Sequence, residues 1–345
     1  MIATIDLSSF TDDSKRPHDD SEQVQAGRAL VAALHTQGFA QVIGHGLSQV
    51  EIDQALNWTK MLFDLPYEDK MKAPHPPGSI PHRGYSGIGK EKVYSHDDVT
   101  ADEDESDVGK SLRKISDFKE SYEIGSECDP VQQNIWLPED ALPNFRSYMT
   151  DLYIKLCAVS KIVLRAISIG LGLDSTASAA LTELISDHHC QLRLLHYPAI
   201  SKEKLENEMI ARLPAHHDWG TFTMLFQDSR GGLELQDPAT QCFHRAEPKE
   251  GAFVINIGDM LQRFTNDYFI SAVHRVSLPD LDNAPSSGIP ARYSIPFFVC
   301  PDFSYTVSTH PKFISGETPA KYDPVKFDEY GVMVSKYQYQ VEELP

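Results

Sequence analysis

Three side chains in this sequence have the types and spacing to hold a metal ion. His216 and Asp218 stand two residues apart in the run LPAHHDWGTFTMLF, residues 213–226. On a strand, residues two apart project from the same face, so these two point together and His217 points the other way. His274 lies in a later β-rich run, SAVHRVSL. Two imidazoles and one carboxylate on one face leave coordination positions open, as iron(II) oxygenases do, whereas zinc favours a closed tetrahedron or a single open position. Arg292 and Ser294, in RYSIPFFV, share a strand face in the same way and offer a guanidinium fork and a hydroxyl suited to a carboxylate. A dicarboxylic 2-oxo acid would then chelate the metal through its keto-acid end and pair its far carboxylate with Arg292. An isolated HxD pair carries little weight. The weight comes from the HxDxGxxTxL context, the spaced histidine and the RxS pair together. His188 and His189 are adjacent, would face opposite ways on a strand, and read as structural or surface residues.

The elements that must position these groups have a distinct texture. From about residue 190 the runs LRLLHYPAI, TFTMLFQD, GLELQD, CFHRA, AFVINIG, SAVHRVSL and RYSIPFFV are separated by Gly, Pro and Asp. They predict a sandwich or barrel of short strands. Upstream, Ile2–Leu7 predicts a strand, Glu22–Leu34 a helix ending near Gly38, and Gln49–Phe63 a second helix. Residues 140–172 predict a long helix with an apolar stripe of Leu152, Leu156, Val159, Ile162, Val163 and Ile167. Residues 66–110, rich in Pro, Gly, His and charge, predict an irregular connection.

Composition narrows the function classes. The chain has 345 residues, enough for one or two domains. It carries 31 Lys and Arg against 50 Asp and Glu, a formal charge of -19 that repels phosphate backbones and anionic membranes. Neither nucleic acid nor a membrane is an expected partner. No signal-peptide pattern or long apolar run occurs, so a cytoplasmic protein is expected. The five cysteines are scattered without CxxC spacing and predict free thiols. Asp97–Asp107 (DDVTADEDESD) lacks the pattern of a calcium loop and predicts a solvated surface loop. Gly84–Lys90 (GYSGIGK) satisfies GxxxxGK, but Glu91 follows where a phosphate-binding loop needs Ser or Thr.

With these residues in view, the chain resembles the isopenicillin N synthase-like family of iron(II) and 2-oxoglutarate dioxygenases over nearly its whole length. ATIDLSSF, QGFAQVIGHGLS, FDLPYEDK, RGYS and DFKESYEIG look like the family's N-terminal region. HHDWGTFTMLFQDSRGGLEL, INIGDMLQRFTND, AVHRVSLP and ARYSIPFFVCPD look like its catalytic core. Within the family, RGYSGIGKEK, DFKESYEIG, LRLLHYPA and LFQDSRGGL are most similar to fungal thymine 7-hydroxylase-type enzymes. The resemblance implies an α+β fold, a double-stranded β-helix (jelly roll) with helices packed outside. It implies a mostly helical N-terminal region over 1–125 and an oxygenase core with a C-terminal helix over 126–345, together one structural unit. It implies that His216, Asp218 and His274 bind iron(II) and that Arg292 and Ser294 bind the far carboxylate of 2-oxoglutarate. Tyr197 keeps the tyrosine of the family's Asn-x-Tyr element, with Leu195 in place of Asn, and is a candidate co-substrate donor. Cys190 stands where thymine-oxidising relatives carry a base-reading amide, which argues against thymine. Cys190, Gln191, Arg193, Trp219 and Phe298 are the candidate substrate residues. The expected reaction uses O2 and 2-oxoglutarate to hydroxylate an unactivated C–H bond of a small molecule, a secondary metabolite or nucleobase-like compound, releasing succinate and CO2. Alternatives are a same-fold oxidase that uses no 2-oxoglutarate, desaturation or ring rearrangement, and a catalytically silent binding protein.

Overall fold

The computed structural model describes residues 2–11, 20–78, 80–91, 116–186, 188–207, 210–278 and 288–335, together with residue 338. The acidic run 97–107 lies outside the described residues. Nine α-helices are described: α1 (Ser8–Thr11), α2 (Asp20–Gln37), α3 (Gln49–Phe63), α4 (Tyr67–Lys70), α5 (Phe145–Gly170), α6 (Ser175–Thr182), α7 (Lys202–Asn207), α8 (Asp259–Phe264) and α9 (Phe327–Ser335). The strands of the N-terminal part are β1 (Thr4–Asp6), β2 (Phe39–Ile43), β3 (Gly84–Ser86), β4 (Ser116–Asp117) and β5 (Glu120–Ile124). Then come β6 (Gln191–Tyr197), β7 (Ile210–Ala211), β8 (Leu213–His216), β9 (Phe222–Gln227), β10 (Leu233–Gln236), β11 (Phe243–Arg245), β12 (Phe253–Ile257), β13 (His274–Val276), β14 (Arg292–Val299), β15 (Thr306–Val307) and β16 (Val325–Lys326).

The long helix and the early helices form for reasons visible in their residues. On α5, Leu152, Leu156, Val159, Val163 and Ile167 recur at helical spacing and are buried, each apolar side chain contributing about 1.5–3 kcal/mol on burial. Ser48 caps α3 in a reciprocal box with Glu51, satisfying donors that the first turn leaves unpaired. Where α2 meets α5 the contact is glycine on backbone: a Cβ at Gly27 would stand 2.6 Å from Ala166 O.

Two sheets carry the site. The larger has the order β1-β2-β12-β9-β14-β6-β5-β3 and the smaller β11-β10-β13-β8. The larger sheet takes strands from both sides of residue 125, because β1 and β2 extend it beyond β12 while β3 and β5 extend it beyond β6. The expected irregular connection over 66–110 therefore contains a strand, β3, and a short helix, α4, within its described part. The seven β-rich runs from residue 190 onward all become strands, β6 and β9 to β14 with β8 ahead of β9.

A cavity between two imidazoles, a carboxylate and two arginines

β8 and β13 pair antiparallel with His216 directly opposite His274, and their rings stand 4.2 Å apart centroid to centroid. After His216 the chain leaves the strand, and residues 217–219 bridge to β9. Asp218 is thus not a strand neighbour of His216, as the spacing suggested, but the apex of the link between the smaller and the larger sheet. The link is held from below: Asp218 O accepts from Asp259 N at 2.9 Å, and Gly220 O from Met260 N at 3.0 Å. No side chain fits at that crossing, since a Cβ on Gly220 would lie 2.5 Å from Val299 O.

The three ligand-type groups lie within 4.8 Å of one another. His216 Nε2 is 3.8 Å and His274 Nε2 is 3.7 Å from the same Asp218 Oδ1. Both rings are fixed by backbone carbonyls: His216 Nδ1 donates to Pro214 O at 2.9 Å, and His274 Nδ1 to Ala272 O at 3.0 Å. A neutral imidazole that donates through Nδ1 keeps a lone pair on Nε2 for a metal. The other carboxylate oxygen, Asp218 Oδ2, accepts from Thr223 Oγ1 at 2.5 Å and Asn256 Nδ2 at 2.7 Å. Thr223 and Asn256 are themselves cross-strand partners on β9 and β12. Burial drives the His216 pKa down to about 3, with His274 beside it acting the same way. Burial pushes the Asp218 carboxyl up, but the imidazoles of His274 and His216 and the bonds from Thr223 and Asn256 outweigh it and hold it below the usual carboxylate range. Two imidazoles whose Nε2 atoms face one carboxylate oxygen fit a divalent cation.

The same cavity, ≈ 200 Å³ in volume, is walled on the larger sheet by β6 and β14. Arg292 is fully buried. Its Nε donates to Gly231 O at 2.6 Å, Nη1 to Ser294 Oγ at 3.0 Å and Nη2 to Gln227 Oε1 at 3.1 Å. Tyr197 is the register partner of Arg292, its ring lies 5.1 Å from the Arg292 guanidinium, and its buried hydroxyl has no hydrogen-bond partner. The Arg212 guanidinium also lies over the Tyr197 ring, 5.8 Å from its centroid. An orphaned phenol beside a buried guanidinium and a serine hydroxyl fits an incoming carboxylate.

The candidate substrate residues divide by strand parity. His189, Gln191, Arg193, Leu195 and Tyr197 all face the cavity, as do Trp219 and Phe298. Cys190 does not: fully buried with Leu192 and Leu194 in the core, it turns its thiol to Ser186 O at 3.4 Å. Its parity along β6 is opposite to that of Gln191 and Arg193, so it cannot share their wall. Sequence reasoning also missed the acids that hold this wall. Arg193 pairs with Glu123 Oε1 at 2.7 Å and Glu91 Oε1 at 3.0 Å, Lys119 pairs with Glu91, and Gln191 Nε2 donates to Glu123 Oε2. Glu123 stands opposite Arg193 in the β5–β6 register, which nothing in a linear run reveals.

Such a fold and cavity define a metal- and keto-acid-dependent oxygenase. The family model described as "non-haem dioxygenase in morphine synthesis N-terminal" matches residues 2–143, and that of the 2OG-Fe(II) oxygenase superfamily matches residues 188–301. The chain is 37% identical to the 2-oxoglutarate-Fe(II) type oxidoreductase ppzD of Metarhizium rileyi, over 92% of this chain and 84% of that protein. It is 38% identical to the proline hydroxylase buaE of Petromyces alliaceus, over 85% of this chain and 86% of that protein. Among solved structures, the full-length thymine 7-hydroxylase of Neurospora crassa with alpha-ketoglutarate and thymine is similar at a TM-score of 0.82 and 32% identity, covering 96% of this chain and 95% of that one. The chain belongs to the 2-oxoglutarate- and iron(II)-dependent oxygenase superfamily. It is a non-haem iron dioxygenase with a jelly-roll core, and its family acts on small molecules.

Proposed function

We propose that His216, Asp218 and His274 hold the iron and that Arg292, Ser294 and Tyr197 hold 2-oxoglutarate, for hydroxylation of a small secondary metabolite. One observation carries this: both histidine Nε2 atoms converge on one Asp218 oxygen while the other oxygen is already bonded to Thr223 and Asn256. Bound iron(II), 2-oxoglutarate and O2 supply the oxidising equivalent for a substrate C–H bond, with release of succinate and CO2. The protein's part is to bind and orient. Pro214 O and Ala272 O fix the imidazoles, and Arg292 balances the far carboxylate of the co-substrate, whose burial unpaired would be costly. Gln191, Arg193, Trp219 and Phe298 form the wall against which the substrate lies. The five cysteines are unbridged, which supports a reducing, cytoplasmic setting.

The test is stoichiometric succinate release with Arg292→Ala alongside wild type. The variant should need far more 2-oxoglutarate for half-maximal rate. An unchanged requirement would remove Arg292 from the co-substrate site, and substrate oxidation without succinate would favour an oxidase that uses no 2-oxoglutarate.

A further inference from the structure

One histidine on the cavity wall is held like a recognition group, and neither metal nor co-substrate accounts for it. His189 continues the outward face of β6 two residues before Gln191 and lines the cavity. Its side chain is 7% exposed, and its ring lies flat on Phe303, 4.0 Å between centroids and 10° between planes. His189 Nδ1 donates to Asp129 Oδ2 at 3.1 Å.

Asp129 is built to receive that bond. Its side chain is fully buried, its Oδ2 also accepts from Arg83 Nη2 at 3.0 Å, and its Oδ1 accepts from the backbone of Val131 at 2.8 Å and Gln132 at 2.9 Å. Arg83 already balances the Asp129 charge. With Nδ1 carrying the proton, Nε2 is an acceptor, and it has no hydrogen-bond partner among the described residues. An orienting carboxylate, a stacked ring and a lone pair left at a cavity wall amount to a fixed receptor for one donor.

The neighbours specify what kind of donor. Gln191, about 7 Å further along the strand face, spends one amide N–H on Glu123 and keeps a carbonyl oxygen and a second N–H. Each carboxylate that braces this wall is paired with a cation: Asp129 with Arg83, Glu123 with Arg193, and Glu91 with Lys119 and Arg193. No unbalanced negative charge is left among these groups for an ammonium. We propose that His189 Nε2 accepts a hydrogen bond from a neutral substrate N–H, and that the substrate is a small amide, lactam or imide whose carbonyl meets the second amide N–H of the adjoining Gln191. This rests on the oxygenase reading of the cavity and adds the class of molecule it takes.

The probes are 2-piperidinone and glutarimide with their N-methyl counterparts, titrated calorimetrically and without oxygen into protein loaded with iron(II) and 2-oxoglutarate. The N–H compounds should bind at least about tenfold more tightly than the N-methyl ones, as expected when a buried acceptor loses its donor. His189→Phe should erase that gap, and His189→Gln, which can still accept through Oε1, should keep part of it. If the phenylalanine variant does not fold, NMR of isotope-labelled histidine in zinc-loaded wild type decides the matter. There the His189 Nε2 signal must move with 2-piperidinone and stay still with its N-methyl form. No binding by the N–H compounds, affinity blind to N-methylation, or a gap that survives in His189→Phe overturns the inference. Wild-type conversion of 2-oxoglutarate to succinate in the same preparation keeps the readings apart, because conversion without lactam binding overturns this inference alone.

Discussion

Removing the hydroxyl of Tyr197 should change stability and co-substrate binding in opposite directions. In the protein alone that oxygen is buried and without a partner, an arrangement that disfavours the folded state by up to about 1–3 kcal/mol. Tyr197→Phe keeps the ring against the guanidinium groups of Arg292 and Arg212, 5.1 Å and 5.8 Å away, so packing is preserved. The variant without 2-oxoglutarate should therefore be no less stable than wild type, and up to about 1 kcal/mol more stable. With 2-oxoglutarate bound, the same oxygen donates to a carboxylate, a charge-assisted bond contributing about 1.5–3 kcal/mol. At about 1.4 kcal/mol per tenfold, the 2-oxoglutarate requirement should rise about 10- to 150-fold. Urea denaturation with and without the co-substrate gives the first quantity, and succinate formation against 2-oxoglutarate concentration gives the second. An unchanged requirement, or a co-substrate-free protein weakened by more than about 1 kcal/mol, would refute the assignment of Tyr197.

Two further outcomes follow from groups away from the reacting atoms. Asn256→Ala frees one bond from Asp218 Oδ2 and should weaken metal binding roughly 10- to 100-fold; a metal titration that matches wild type would sink this account of how the carboxylate is aimed. Burial pushes the Glu120 carboxyl up, but bonds from His196, Lys70 and Tyr85 outweigh it and hold its pKa below the usual range. Because the folded-state value is the lower one, its contribution is full above the ordinary carboxylate range and is lost as pH falls through the folded value. Denaturation curves across acidic pH should thus fall more steeply for wild type than for Glu120→Gln, and parallel curves would show that Glu120 is not the group responsible.

The groups proposed to hold metal and co-substrate stand out in the sequence because their chemistry is written locally: HxD, RxS and the outlying His274 each sit in a short apolar run, and the structure brings the three ligand-type groups within 4.8 Å of one another. Strand spacing alone does not bring His216 and Asp218 together, since the strand ends at His216 and the turn braced by Gly220, Gly258 and Asp259 delivers the carboxylate. On β6, strand parity separates Cys190 from Gln191 and Arg193 and puts His189 on the cavity side. Glu91, Lys119, Glu123 and Asp129 were invisible for a different reason. Their value lies in pairs across strands and loops far apart in the chain, as Glu123 and Arg193 are, and a linear pattern carries no trace of such partners.

The shared sheet bears on how such enzymes can be recombined. The gap between the two family matches, residues 144–187, looks like a natural seam for chimeras. Yet residues upstream of it supply Lys119, Glu123 and Asp129, which brace one wall of the cavity, and β2, which pairs with the strand bearing Asn256. Swapping that upstream half between relatives would transplant the bracing of this cavity wall along with the scaffold. Selectivity in a shuffled library should therefore track the donor of the N-terminal segment as well as the donor of the segment that carries His216, Asp218 and His274.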